Sequence, residues 1–487
     1  MLTVALLLQQ EVSTRVLLQT EVLDTLLAGK VRLVILTSDA EALRLYLRNR
    51  GFSQVPVEQV DVECYRAHAA GRFGAVLRMM RSFAVDGRTS DDIFAMQWKD
   101  ARRRAKLVAL SLLAFTKALS YLMRWSAVAM KFFVELENRV DAPSAHSEFF
   151  EKYRPAALVV TSLGTFNYDH YVMREARRHG VKVISYVLSW DNPTVRGLGT
   201  NLSSLVIAWS EIMKEELATL HRIPAEKIVI AGVPHYDYYV NGKRPILSKK
   251  ELGELFGIDP QKHFLFLGTK SPNGYLYNVD IAQVICRAII EGRLHRDCCL
   301  IARLHPIYLR KRHGELVFHK ELSEWKDLSA RFGAGCLYVD YPKMLEGSSN
   351  LIMADDEITK LVSIMKHSDV VINMFSTLNV EASILDKPTV NVAFQFDHRR
   401  PPGMKIERFN IGYDEVQTHN QRIIKSNGTM VARSVEQLIE QINSSLQNPG
   451  LHAAGRQRIM SDECGPNLGS AGQKVGQEIL TFLERDC

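Results

Sequence analysis

The chain is expected to fold as an α/β protein with two parallel-sheet domains, the first carrying a helical insertion. Three observations carry that expectation. Short apolar runs alternate with amphipathic, helix-length segments along most of the 487 residues. The alternation stops at a polar stretch near residue 244 and then begins again. One block, 66–140, breaks it and reads as helix throughout. At 46% hydrophobic and 24% charged residues, a chain of this length exceeds one ordinary core, and two domains is the natural count.

Taken in order, "TVALLLQ", "VRLVILT", "AALVVT", "VKVISYVLS", "SLVIAW" and "KIVIAGV" read as strands buried on both faces. Between them, "RVLLQTEVLDTLLAG" and "DHYVMREARRHG" have helical periodicity and end in glycine. After Val240, "NGKRPILSKKELGELFGIDPQ" reads as a linker. The second unit follows with "FLFLG", "CCLIARL", "CLYV", "DVVINMF" and "PTVNVAF". The domains are therefore drawn as 1–243, with the insertion at 66–140, and 244–465. Residues 466–487 are drawn as a last helix free to pack back on the first domain. The start, "MLTVALLLQQEVSTR", lacks the basic residues and cleavage site of a signal peptide and reads as a first core strand. The seven cysteines are scattered without metal-ligand spacing, which points to a reducing, cytoplasmic compartment.

The net charge of +7 is not spread as nucleic-acid binding would require. Residues 99–131 hold eight basic side chains against the single acid Asp100, so this segment carries the whole excess. Within it Lys117, Arg124 and Lys131 recur every seven residues. Such positions drift only about 20° per heptad, which makes them one basic stripe on an apolar helix. The longest uncharged run there, Leu107–Thr116, is too short to span a bilayer. Two readings stand: a helix lying peripherally on an anionic membrane surface, or one buried against its own domain with three snorkelling cations.

Ligands of open parallel sheets bind beyond the carboxyl ends of the strands, and the unusual residues fall there. "VVINMFSTLNVEASILDKPTVNVAF" is a strand, a turn with Ser376 and Thr377, and a helix bearing Glu381. A helix start with hydroxyls suits a phosphate, and Glu381 can accept from ribose hydroxyls. Simple capping explains the hydroxyls as well, but not Glu381. "LIARLHPIY" puts Arg303 and His305 at another strand end, where they can neutralise a phosphate or leaving group. "FLFLGTKSPNG" runs into Gly268 and Thr269 without the spacing of a P-loop. In the first unit, "VISYVLSWDNPTVRGLG" places Trp190 and Asp191 after a strand. Asp191 is a candidate general base, although Asp-Asn-Pro is also a good turn. "GTFNYDHY" places Asp169 and His170 at a strand-to-helix junction, and Glu11 follows the first strand.

Together, "SWDNPTVRG", "VIAWSEIMKEELATLHRIPAEKIVIAGVPHYD", "LHP" and "SDVVINMFSTLNVEASILDKPTV" resemble the GT-B glycosyltransferases of bacterial surface-polysaccharide synthesis. CDP-alditol phosphotransferases and non-hydrolysing UDP-GlcNAc 2-epimerases belong to the same wider group. The resemblance spans 154–394 and implies two Rossmann-like domains facing each other across a cleft. It also implies a nucleotide-sugar donor on the second domain, with a glycan or lipid-linked acceptor facing the first. Ser376 and Thr377 match its phosphate-binding hydroxyls, Glu381 its ribose carboxylate, and His305-Pro306 its His-Pro motif. No Ser-Gly-Gly precedes the helix, a departure from the epimerases. No metal or other cofactor is implied, the nucleotide sugar being a substrate. The expected activity is glycosyl transfer, with His305 and Asp191 as catalytic candidates. A phosphotransferase, an epimerase and a non-catalytic nucleotide-binding scaffold are the alternatives.

Overall fold

The computed structural model describes residues 1–349, 351–396 and 411–486. It divides into two compact units, Met1–Asp237 with Leu345–Ile352 and Glu463–Cys487, and Tyr238–Met344 with Met353–Asp462.

The strands of the first unit are β1 (Thr3–Leu8), β2 (Arg32–Thr37), β3 (Val57–Gln59), β4 (Ala157–Val160), β5 (Lys182–Tyr186), β6 (Leu205–Ala208) and β7 (Ile228–Ile230). They form one parallel sheet in the order β3-β2-β1-β4-β5-β6-β7. Helices on both faces bury β1 and β4 almost completely, which is why their sequences are unbroken apolar runs. The chain leaves β1 on one side and β4 on the other, so the order reverses between them. That reversal is where the carboxyl ends of the strands part to admit a ligand.

The second unit repeats the plan. Its strands are β8 (His263–Gly268), β9 (Cys298–Arg303), a small antiparallel hairpin of β10 (Lys311–Arg312) and β11 (Glu315–Leu316), then β12 (Leu337–Asp340), β13 (Val370–Asn373), β14 (Thr389–Val392) and β15 (Met430–Ala432). The parallel sheet runs β12-β9-β8-β13-β14-β15 and reverses between β8 and β13.

Three local differences from the sequence reading have simple causes. The edge strands β3 and β15 are three residues long, too short to print a period. The helix expected over 15–29 is two helices, Glu11–Leu17 and Glu21–Ala28. Thr20 divides them: its hydroxyl donates to Val16 O at 2.5 Å and accepts the Val22 N–H at 3.3 Å. The third difference is in the helical block, where Lys117 and Arg124 do not form an outward stripe with Lys131. Both turn inward to Asp91 of the helix Arg88–Arg103, at 2.6 and 2.9 Å. Lys131 alone of the three is exposed.

The last helix, Ala471–Asp486, packs on Glu21–Ala28. A Cβ on Gly476 would lie 2.6 Å from Thr25 Cβ, so glycine sets that approach. Asp237 holds its start by accepting the N–H groups of Gly469, Ala471 and Gly472 at 2.7, 3.1 and 2.8 Å.

Candidate functional site

At the reversal point of the second unit, three strand ends supply donors. β8 ends at Gly268, where a Cβ would lie 2.0 Å from Leu378 Cδ1. Glycine therefore lets the helix Leu378–Ile384 close on the strand end. Thr269 Oγ1 accepts the His305 N–H at 2.8 Å, and the Thr269 N–H donates to Arg303 O at 3.0 Å. These two bonds tie the loops after β8 and β9 together. His305 Nδ1 accepts the Ile307 N–H at 3.2 Å, which assigns the proton of the neutral ring to Nε2. Desolvation, then the cations of Arg310 and Lys270, push the His305 pKa down to about 4. At neutral pH the ring is thus an uncharged N–H donor. Lys270 crosses towards the end of β13, with Nζ 2.9 Å from Asp414 Oδ2 and 3.4 Å from Met374 O.

The turn after β13 is held by buried amides. Phe375 has φ +51°, a left-handed conformation that costs a bulky residue about 1 kcal/mol or more. Asn391 Oδ1 accepts the Phe375 N–H at 3.2 Å and an Asn379 Nδ2 proton at 3.0 Å. Asn373 Oδ1 accepts the Ser376 N–H at 3.0 Å, while Asn373 Nδ2 donates to Asn379 Oδ1 at 3.2 Å. Ser376 Oγ accepts the Leu378 N–H at 3.3 Å, and Asn379 and Val380 donate their N–H groups back to Ser376 O and Thr377 O. The first helical turn is therefore largely self-satisfied. The Thr377 hydroxyl has no hydrogen-bond partner among the described residues. Glu381 is buried, and its Oε2 accepts from Tyr239 Oη.

In the first unit the strand ends surround a polar pocket of about 650 Å³. Amides of Gln9, Gln59 and Asn167, carboxylates of Asp61 and Glu63, and the ring of Tyr168 line it. Behind Gln9 lies Asp169, whose Oδ1 accepts from Gln9 Nε2 at 2.9 Å and whose Oδ2 accepts from Ser162 Oγ at 2.6 Å. Burial pushes its pKa up to about 7, against the lowering effect of those two bonds. Asn167 Nδ2 donates to Gln9 O at 3.1 Å, so Gln9 is held at both ends.

No protein-family model and no curated protein matches the chain. Solved structures do. The chain is similar to a glycosyltransferase from Rickettsia africae ESF-5, at 11% identity and TM-score 0.50, covering 100% of this chain and 99% of that one. A UDP-GlcNAc 2-epimerase from Neisseria meningitidis bound to UDP-GlcNAc aligns at 12% identity and TM-score 0.52, over 98% and 100% of the two chains. A UDP-GlcNAc 2-epimerase from Methanocaldococcus jannaschii, in complex with UDP-GlcNAc and UDP, aligns at 13% and 0.52 over 99% of each. The fold is GT-B.

Within that fold, Gly268, Thr269 and His305 meet through direct contacts, with Ser376 and Thr377 on the turn beside them. Arg303 does not join them. Its guanidinium is buried between Asp340 and Glu357, a cluster that Lys360 completes. An arginine so committed does not reach a phosphate, and it is a core ion pair. His170 is likewise a correction: it is buried, and its charged neighbours are Arg81, Arg174 and Arg78, which with burial hold it neutral. Trp190 is buried, so it offers no open ring face. Asp191 is half-buried, does not line the pocket, and lies near Arg196, whose guanidinium stacks 4.0 Å from the Phe166 ring centroid. Glu11 is half-buried at the start of its helix and is not part of the pocket lining.

Sequence reasoning missed Gln9, Gln59, Asp61 and Glu63, which no motif marks. It also passed over Asn373, Asn379 and Asn391. Asn373 and Asn391 carried a signal, because each is a lone amide inside an apolar run, and a buried amide requires partners.

Proposed function

We propose that the chain is a glycosyltransferase that moves a sugar from a nucleotide-sugar donor to a surface-polysaccharide or lipid-linked glycan acceptor. The observation that carries this reading is the donor cluster of Lys270, His305 Nε2–H and the Ser376–Thr377 turn at the β8/β13 reversal. A nucleoside diphosphate leaving group gains negative charge as the glycosidic bond breaks. A nearby cation and a neutral N–H donor answer that charge. Lys270 would exchange Asp414 for a phosphate oxygen, and His305 would donate to the departing oxygen. Glu381 keeps one carboxylate oxygen, Oε1, for a ribose hydroxyl, while Tyr239 holds the other. The polar pocket of the first unit, lined by amides and carboxylates, suits a polyhydroxyl acceptor. Asp61 and Glu63, which line that pocket, are the candidates for its base, and Asp169 acts through Gln9 as a positioning residue.

UDP-GlcNAc epimerisation is the second reading, supported by the similarity to two epimerases, one bound to UDP-GlcNAc and one in complex with UDP-GlcNAc and UDP. The test is a nucleotide screen by thermal shift with UDP, CDP, CMP and GDP, because a ligand of the folded state raises its stability. Turnover of the matching donor follows. Sugar transfer that needs an acceptor supports the proposal. Interconversion of UDP-HexNAc isomers without an acceptor supports the epimerase. Tight binding with no product from any donor and acceptor would leave a nucleotide-binding scaffold.

A further inference from the structure

The helix Leu107–Trp125 is built inside out. Its inner face buries Thr116, Lys117, Ser120 and most of Arg124. These polar groups are satisfied locally: Lys117 and Arg124 share Asp91, Thr116 donates to Leu112 O at 2.9 Å, and Ser120 donates to Lys117 O at 2.7 Å. Its outer face exposes Leu107 (75%), Val108 (84%), Phe115 (55%), Leu122 (48%) and Trp125 (88%). Val108, Phe115 and Leu122 recur every seven residues and Trp125 follows three after Leu122, so these side chains lie on one side of the helix. The next helix, Ala127–Val140, also exposes Val128 (79%) and Phe132 (61%). Scattered exposed apolar residues are ordinary, but a continuous stripe of this kind marks a surface whose working environment is not water.

Charge completes the pattern. Arg102, Arg103, Arg104 and Lys106 are exposed immediately before the stripe, and Lys131 is exposed between Val128 and Phe132. Among the described residues, Asp100 pairs with Arg103 and Arg104 at 3.4 and 3.1 Å. By length and composition the helix also qualifies to cross a membrane. Its inner face argues against crossing, because its two cations are tied to the neighbouring helix through Asp91.

We infer that this face docks on an anionic membrane surface, with the helix lying in the plane of the interface. Nineteen residues give a rod about 28 Å long. The apolar stripe enters the acyl boundary and the flanking cations meet lipid headgroups. A second copy of the chain is a poorer occupant, since a self-complementary contact would bring the same cations together. A shallow cleft of about 480 Å³ lies beside the stripe, walled by Phe94, Trp98, Ala114 and Tyr121, with Lys99 and Lys117 also on its lining. The inference needs no donor, acceptor or turnover, so it stands or falls apart from the transferase proposal.

The experiment is co-sedimentation of the full chain with vesicles of pure phosphatidylcholine or of phosphatidylcholine with phosphatidylglycerol, at low and high salt. Binding should require phosphatidylglycerol and weaken with salt. Phe115→Ser, Leu122→Ser and Trp125→Ser together should lower vesicle affinity roughly a hundredfold or more. Replacing Arg102, Arg103, Arg104 and Lys106 with Gln should cost about fivefold per cation and flatten the salt dependence. All these residues are exposed, so circular dichroism and melting should match wild type. Absence of wild-type binding to the anionic vesicles at low salt overturns the inference, as does unchanged binding by the folded serine variant. A dimer that the serine variant makes monomeric, with no vesicle binding, replaces the membrane with a second copy.

Discussion

The two sheets share one topology, each reversing order at its third and fourth positions, yet their carboxyl edges carry opposite chemistry. In the second unit the loops present a lysine, the His305 ring N–H and the Thr377 hydroxyl around a turn pinned by three buried asparagines. In the first they present amides and carboxylates around an open pocket, with Asp169 buried behind it. Topology decides where a ligand can enter, and the few residues after each strand decide its sign. An edge of donors suits a phosphate, and an edge of acceptors suits hydroxyls that must be held or deprotonated.

The comparison can be broken at four points, taken from the largest expected effect down. Asp169 is the costliest group of the acceptor edge, because its pKa rises from 3.8 to about 7 on burial. Its folded value lies above the unfolded one. Its contribution to stability is therefore complete below the unfolded value and declines as pH climbs through about 7. Asp169→Asn should remove that decline and stabilise the protein at pH 8 by up to about 4 kcal/mol, at 1.36 kcal/mol per unit. Urea denaturation at pH 4 and pH 8 measures it, and a variant equal to wild type at both would mean the carboxyl titrates normally.

His305 is the counterpart on the donor edge. If its Nε2–H meets the leaving group, His305→Ala should lower kcat by roughly a hundredfold to a thousandfold and shift donor affinity much less. Because the ring is already neutral above about pH 4, no rate change near pH 6.5 should trace to it. An inflection there that disappears in the alanine variant would mean that an imidazolium is the working form.

The asparagine network sets the shape of the donor edge. Asn391→Leu leaves the Phe375 N–H and an Asn379 amide without their acceptor, which should cost about 2 kcal/mol in denaturant midpoints. A loss below a few tenths would show that water or a shifted turn replaces the amide. The smallest effect belongs to Glu381. Glu381→Gln should weaken nucleotide binding about tenfold by calorimetry, the loss of a hydrogen bond to a charged acceptor. Tyr239→Phe frees Oε2 and should leave affinity equal or higher. A fall in both variants would make the pair a structural brace.

Much of this arrangement was legible in the chain. The runs that became β1, β4, β8 and β13 were plain because strands buried on both faces need continuous apolar sequence. Thr269, His305 and Ser376 were singled out because they follow strand ends, which is where ligands of such sheets bind. Arg303 and His170 misled for the same reason. A strand-end position specifies where a backbone stands, while the side chain follows whichever partner packing brings near. Lys117 and Arg124 make the point most clearly. Their heptad spacing correctly put them on one face of one helix, but nothing local says whether that face looks outward.

The sequence by itself determined the elements, their alternation into two parallel-sheet units and the loops at which chemistry could occur. Those follow from periodicities of 3.6 and 2 that every short segment carries within itself. Only the tertiary structure decided that Asp91 draws two cations inward, that Asp340 and Glu357 claim Arg303, and that Asn373, Asn379 and Asn391 meet. Each of those outcomes depends on groups on different elements being brought within about 3 Å, a distance at which hydrogen bonds and ion pairs act. Local periodicity carries no information about such meetings, because they are set by how whole elements pack.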